Sequence, residues 1–304
     1  MDSNEHTFDE STSSIKEIEF GIWSSQDILN GSALGKNSLG IDIPDLYDNL
    51  DPKHGGLIDS RMGPIGNNND CATCGLNPTY CVGHFGHIDL AEPVFHMGYI
   101  EYVKKILSCV CLRCSKLLVY KNEEEYAQML KNKSGKKRFA EIRNLAKNVS
   151  YCQKGNYGCG APVSKIKKEI KKTTGVINII SELNPTAVQM AEDDMDGKKK
   201  IRLILTPTDC YNILKNISDK DCEIMGLDPK KSRPETMIHK IFPVPPVQVR
   251  PSVKADFMAS ATMEDDLTHK LADVIKANIR IRKYKESLND TNAKYSQDHQ
   301  HLLQ

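Results

Sequence analysis

The sequence has no apolar run approaching the ~20 residues of a membrane-spanning helix. Nothing at its start reads as a signal peptide, because the chain opens on the acidic, polar Met1-Asp-Ser-Asn-Glu-His6. A secretory route is therefore not expected, and the ten cysteines are not expected to pair as disulfides. Also missing are a glycine-rich phosphate loop, a dinucleotide-binding Gly-x-Gly-x-x-Gly after a strand, and a Gly-x-Ser-x-Gly elbow. No internal repeat is visible. The carboxylate run Asp193-Asp194-x-Asp196 precedes Gly197-Lys-Lys-Lys200 and reads as an exposed loop, while Asp265-Asp266 reads as the acidic opening of a helix. With 39% hydrophobic and 27% charged residues, a wholly disordered or collagen-like chain is excluded, and 304 residues allow about two domains.

There is little net charge either: 41 Lys and Arg oppose 40 Asp and Glu, giving +1. That balance conceals a separation. From Lys131 to Lys172 thirteen basic residues face two glutamates, a net +11 that leaves −10 for the remainder. Such a segment attracts phosphates at long range, or it is simply a solvated lysine face.

The order of local signals predicts a mixed chain. Residues 1–14 are polar and expected to be disordered, and Ile15, Ile18, Phe20 and Ile22 mark a strand-like segment. Ser24 to Asp27 resembles a capping box opening a short helix. Residues 30–70 are loop-rich, and Ile88–Leu107 is apolar and helical toward its end. Residues 121–172 have helical propensity, and Ile201–Leu205 reads as a buried strand. Helices are expected from Thr208-Asp209 to about Ile217 and from Ser218 to a Gly226 stop. Phe242-Pro-Val-Pro-Pro-Val247 reads as a stiff extended connector, and Leu267, Leu271, Val274, Ile275 and Ile279 as one face of an amphipathic helix.

Two constellations carry metal chemistry. The first is Cys71-x2-Cys74-x6-Cys81-x2-His84, two close pairs that converge on one tetrahedral Zn2+, with His87 the competitor for His84. The second joins Cys111-x2-Cys114 to Cys152-x6-Cys159, where Gly155, Gly158 and Gly160 supply turns and Cys109 is an alternative ligand. Four protein ligands leave no open position, so both zincs would be structural and not catalytic. Cys210 and Cys222 lie in helical patterns without a partner pair and are expected to pack in the core.

Cys71-Ala-Thr-Cys74, followed by Cys81-Val-Gly-His84-Phe-Gly-His87-Ile-Asp-Leu-Ala-Glu-Pro-Val-Phe-His96, closely resembles the N-terminal clamp of the largest subunit of eukaryotic-type multisubunit RNA polymerases, RNA polymerase II above all. The resemblance continues at Cys109-Val-Cys111-x2-Cys114-Ser-Lys-Leu-Leu, Gly158-Cys159-Gly160 and Arg233-Pro234-Glu235-x-Met237-Ile238. It extends through Pro243-Val-Pro-Pro-Val-x-Val-Arg250-Pro251 and Asp265-Asp-Leu-Thr-His-Lys-Leu-Ala-Asp273, in family order from about Glu19 onward.

The resemblance implies an α+β fold: an irregular zinc-stapled clamp core with a mixed helical and strand clamp-head insertion, ending before the catalytic core. Residues 15–100 would form the first part of the clamp core with one zinc site, and 101–240 the clamp head with the other zinc site and the basic segment. Residues 241–304 would return to the core, with a lid-like loop at about 250–264 and the amphipathic helix at about 265–285. Cys71, Cys74, Cys81 and His84 would be one ligand set, and Cys111, Cys114, Cys152 and Cys159 the other. In the lid region Phe257 and Met258 would be wedge residues, with Arg250 and Lys254 on phosphates; Lys165, Lys167 and Lys168 are further nucleic-acid candidates on the basic segment.

The implied function is to help hold DNA and the RNA–DNA hybrid during transcription, as part of a nucleotidyltransferase assembly in which this chain alone is inactive. The family's Mg2+-binding Asn-Ala-Asp-Phe-Asp-Gly-Asp run is absent, so Mg2+ is expected elsewhere in the polymerase. Expected partners are the second-largest subunit, the remainder of the largest subunit, smaller subunits, DNA and the hybrid, with no membrane. A split-gene product, a truncation or a clamp fragment would each explain the missing motif. The alternative is a free-standing zinc-binding nucleic-acid regulator derived from such a clamp. Abundant Lys, Asn and Ile suggest an AT-rich genome, as in large DNA viruses; that would place the protein in virions or host cytoplasm, and a cellular source would place it in the nucleus.

Overall fold

The computed structural model describes residues 15–18, 20–36, 38–49, 51–65, 69–119, 126, 131, 135–172, 175–183, 201–254 and 262–287. Residues 1–14, expected to be disordered, lie outside this set. In chain order the elements are α1 (Ser25–Gly31), β1 (Tyr47–Asp48), β2 (Asp51–Pro52), β3 (Gly86–Phe95), α2 (Ile100–Leu107), α3 (Gly135–Ala146), β4 (Lys165–Ile170), β5 (Ile177–Leu183), β6 (Ile201–Leu205), α4 (Pro207–Lys215), α5 (Asp219–Met225), β7 (Ile238–Val244), β8 (Val253–Lys254), β9 (Thr262–Met263) and α6 (Asp266–Ser287). The chain is α+β.

The helix starts follow local chemistry. Ser24 caps α1 by accepting the Asp27 N–H at 3.2 Å, while Asp27 accepts the Ser24 N–H at 3.0 Å. Thr206 and Asp209 make the same reciprocal pair at α4, so the cap is Thr206, two residues earlier than expected. Ser218 caps α5, and Gly226 ends it with φ +80, a conformation that glycine adopts without a Cβ penalty. No strand forms among the described residues of 15–24: Ile15, Ile18 and Phe20 are exposed, and alternation alone does not hold a strand without a neighbour to pair with.

Strand β3 pairs antiparallel with β7, from Gly86 opposite Val244 to Phe95 opposite Ile238. The segment expected as a connector is thus partly strand. Pro243 is tolerated because among the described residues this sheet has two strands, leaving one edge of β7 with no ladder to interrupt. Between Asp89 and Val94 the register bulges, and α6 supplies the missing partners. Asn278 accepts the Ala91 N–H at 2.7 Å and donates to the Asp89 carbonyl at 2.8 Å, while Lys285 Nζ donates to the Ala91 carbonyl at 2.8 Å.

A second sheet orders β4–β5–β6, all antiparallel. Residues 165–170, expected to be helical, are therefore strand, because the long β5 offers a ladder that outweighs lysine's helix propensity. Within β6 only Leu205 is buried; Ile201, Leu203 and Ile204 are exposed, so the expected buried strand is an edge strand.

Two apolar clusters form. One takes residues from 34 to 94 and from 244 to 275, including Leu34, Ile88, Val244 and Leu271. The other runs from Phe95 to Ile238 and includes Ile106, Leu118, Ile142, Ile179 and Leu214. The β3–β7 pair joins them as a two-stranded neck, since the chain leaves the first cluster through β3 and returns through β7.

Candidate metal centres

At the first centre the ligand atoms of Cys71, Cys74, Cys81 and His84 all lie within 4.8 Å of one another. Cys74 Sγ and Cys81 Sγ are 3.6 Å apart, and Cys81 Sγ lies 3.8 Å from His84 Nε2. The Cys71 carbonyl accepts the Gly75 N–H at 2.8 Å, the Leu76 carbonyl accepts the Cys71 N–H at 3.0 Å, and the Thr73 N–H points to Cys71 Sγ at 3.4 Å. Across the site Asn77 Oδ1 accepts the N–H groups of Thr79 and Tyr80, shaping the turn that presents Cys81. The centre is bolted to the fold by the His84 N–H to the Met62 carbonyl at 2.9 Å and the Thr73 hydroxyl to the Arg61 carbonyl at 2.6 Å. Gly83, at φ +84, sits where a Cβ would come within 2.6 Å of Pro246 and 2.4 Å of Gln248, so the knuckle rests on the chain returning from β7.

His87, the competitor, is fully buried and differently engaged. Its Nδ1 lies 2.7 Å from Ser32 Oγ and its Nε2 3.2 Å from the Ser38 carbonyl. Both ring nitrogens have partners on the 32–38 loop.

At the second centre the sulfurs of Cys111, Cys114, Cys152 and Cys159 lie within 4.8 Å of one another, with Cys111–Cys159 at 3.6 Å and Cys114–Cys152 at 3.7 Å. The first knuckle repeats the turn of the other centre: the Ser115 N–H donates to the Cys111 carbonyl at 2.8 Å, and the Cys111 N–H to the Lys116 carbonyl at 2.9 Å. Ser115 adopts φ +58 at the position Gly75 fills with φ +69. Of the three glycines near Cys159, Gly155 and Gly160 have positive φ, but Gly158 is needed for space. A Cβ there would lie 2.4 Å from the Gln153 carbonyl oxygen and 2.6 Å from Cys152 Sγ. Cys109 is outside the set: it is buried, its Sγ faces the Lys105 carbonyl at 3.2 Å, and burial pushes its thiol up to about 12. Cys210 and Cys222 are likewise buried.

The donor chemistry fits a metal ion. A tetrahedral thiolate site with metal–sulfur bonds of ~2.3 Å has sulfur–sulfur edges of ~3.8 Å, close to the separations of 3.6 and 3.7 Å found here. Burial pushes Cys81 up to about 11 and Cys111 up to about 12, whereas the Ala161 N–H holds Cys159 down at about 7. A cation is what would let such crowded thiols lose their protons together.

The residues expected to touch nucleic acid are dispersed. Arg250 is a correction: it is 1% exposed, and its guanidinium donates to the Pro245 carbonyl at 3.1 Å, to Thr268 Oγ1 at 3.3 Å and to the Leu57 carbonyl. It is a bolt between three segments, facing away from solvent. Lys167 pairs with Glu182 at 2.7 Å, and Lys168 with Glu101, while Lys165 is exposed. The backbone of Lys254 belongs to β8, whose pairing with β9 closes the base of the 250–264 loop; Phe257 and Met258 lie outside the described residues. Among the described residues no helix is long and apolar enough to cross a membrane.

The chain is 49% identical over 292 residues to the DNA-directed RNA polymerase subunit 1 of Acanthamoeba polyphaga mimivirus, a match covering 94% of this chain and 19% of that protein. The chain thus spans about a fifth of its relative's length. Residues 12–304 match the model of RNA polymerase Rpb1, domain 1, and with both knuckles inside the matched region the chain belongs to the family of the largest RNA polymerase subunit.

Proposed function

We propose that this chain is the N-terminal clamp portion of a largest polymerase subunit, a zinc-braced jaw that helps hold DNA and the RNA–DNA hybrid during transcription. The observation that carries the reading is a complete four-ligand set beside each apolar cluster, on the two sides of the β3–β7 neck. Cys71, Cys74, Cys81 and His84 would hold one zinc ion; Cys111, Cys114, Cys152 and Cys159 the other. Neither set leaves a position for water or substrate, so each ion would brace the fold. Residues 15–100 and 241–304 are the clamp core and 101–240 the clamp head in this reading, which the two clusters support. The 250–264 loop is the lid, where Lys254 and Phe257 would meet nucleic acid.

Nucleotide addition then belongs to the assembly, at Mg2+ held by other segments. Partners are the second-largest subunit, the remainder of the largest subunit and smaller subunits. The viral relative supports a virion or host-cytoplasm setting. The test is affinity purification of the tagged chain from the cells that express it, with elemental analysis. Co-purification of a second large subunit, two zinc equivalents per chain and no nucleotide addition by the chain alone are expected. A chain recovered without other polymerase subunits would overturn the clamp reading. The basic segment would then favour a free-standing zinc-binding nucleic-acid regulator, whose DNA binding needs no polymerase partner and falls steeply with salt.

A further inference from the structure

A cleft of about 950 Å3 lies between α2, the end of α3, the 147–151 turn and the β4 strand. Six cationic side chains line it against two carboxylates, Glu101 and Glu182. Both carboxylates are already taken. Glu182, 4% exposed, is gripped by Lys167 at 2.7 Å and Arg202 at 2.8 Å, and Glu101 pairs with Lys168 and, at 3.9 Å, with Lys104. No carboxylate among the described residues lies within ion-pair distance of Lys105, Arg143, Lys147 or Lys165. The cleft therefore carries uncompensated positive charge over a partly apolar floor that includes Ala146, Val163 and Ile166, an arrangement that concentrates the field on an entering anion. At its margin Tyr151 is 54% exposed, an aromatic ring beside this positive field.

We infer that this cleft binds a short single-stranded nucleic-acid segment, with Arg143, Lys147 and Lys165 on phosphates and Tyr151 stacked on a base. The volume is near the upper end of the ~300–1,000 Å3 typical of ligand pockets, which admits a few nucleotides of one strand but not a duplex. Cations along a groove with an interleaved ring are the general means of holding single strands without reading sequence. The inference takes from the polymerase reading only the presence of RNA and DNA nearby. Its failure would leave the co-purification and zinc results untouched.

The test uses the full chain with both metals bound and fluorescent oligo-U and oligo-dT. Arg143→Glu/Lys147→Glu/Lys165→Glu is compared with a control of equal charge change on α6, Lys276→Glu/Arg280→Glu/Lys283→Glu. The cleft variant is expected to bind at least tenfold more weakly at about 0.1 M salt, with a log–log salt slope shallower by about two. The control should lose less than threefold, and both variants should keep the wild-type melting temperature. Tyr151→Ala should weaken binding about tenfold and Tyr151→Phe restore it. Preference for either RNA or DNA supports the inference and names the strand. Equal losses in cleft variant and control would overturn it, as would a duplex bound as tightly through the same residues. Displacement of the oligonucleotide by oligo-glutamate of equal charge at lower concentration would assign the cleft to an acidic protein segment instead. If the Glu variant fails to fold, Arg143→Gln/Lys147→Gln/Lys165→Gln carries the same comparison, with at least a threefold loss expected.

Discussion

Arg250 illustrates, at the residue scale, how a side chain's type leaves its role open. Arginine after a Val-x-Val run reads as a phosphate contact, yet here it links Leu57, Pro245 and Thr268 from inside, and burial lowers its pKa to about 10. Hydrogen bonds to charged groups contribute ~1.5–3 kcal/mol each. Arg250→Ala should therefore destabilise by about 3 kcal/mol or more in chemical denaturation, with unchanged nucleic-acid affinity in the folded protein. Loss of affinity at full stability would return Arg250 to the nucleic-acid interface. Asp59 is a second buried charge. Burial raises its pKa, but the Arg61 side chain and the Gly55 and Arg61 N–H groups outweigh that and hold it at about 2. The folded value lies below the ~3.9 of an unfolded aspartate, so its stabilisation is complete above about pH 4 and lost as pH falls through about 2. The stability difference between wild type and Asp59→Asn should shrink across that window in denaturant titrations. Any metal held at the two knuckles would be lost from both proteins alike in acid, so the difference isolates the carboxylate.

Elements were legible where their signals are local. The Ser24–Asp27 and Ser218–Gly226 ends are short-range hydrogen-bond patterns, readable within a few residues, whereas the sequence places the start of α4 two residues late, at Thr208 and not at Thr206. Strands were less so, because a strand is defined by its neighbour: β4 needs β5, and β7 needs β3. The bulge at Asp89–Val94 needs a helix 187 residues on, through the Asn278 bond to Ala91. Asn278→Ala should cost about 1 kcal/mol by leaving the half-buried Ala91 N–H without its protein partner. Amide exchange at Ala91 would rise by tenfold or more if that bond protects it. Gly158 makes a comparable test at the second centre. Gly158→Ala drives a Cβ into Cys152 Sγ, and one metal equivalent instead of two is expected by elemental analysis of the purified variant.

At the scale of the whole molecule, each of the two apolar clusters has a candidate metal knuckle beside it, and the proposed zinc ions would brace both. Structural zinc contributes ~10–16 kcal/mol to folding in small domains, of the order of an entire domain's net stability. Chelation should therefore unfold the knuckles and lower the melting temperature. Cys74→Ser should remove one metal equivalent while Cys111, Cys114, Cys152 and Cys159 retain the other. If the chelated chain keeps its near-ultraviolet dichroism and its melting temperature, the ions do not brace the fold.

Family membership, the Ser24 and Ser218 caps and two groups of cysteine and histidine at knuckle spacing were legible in sequence alone, since spacing and capping act over a few bonds and motif order needs no geometry. Tertiary structure decided that His87 turns to Ser32 and Ser38, that Cys109 packs away from the sulfur cluster, and that Arg250 lies inside. It also gathered Lys105, Arg143, Lys147 and Lys165 around one cleft. These outcomes depend on which surface each side chain meets after the chain returns through β7, and a linear pattern does not encode that contact.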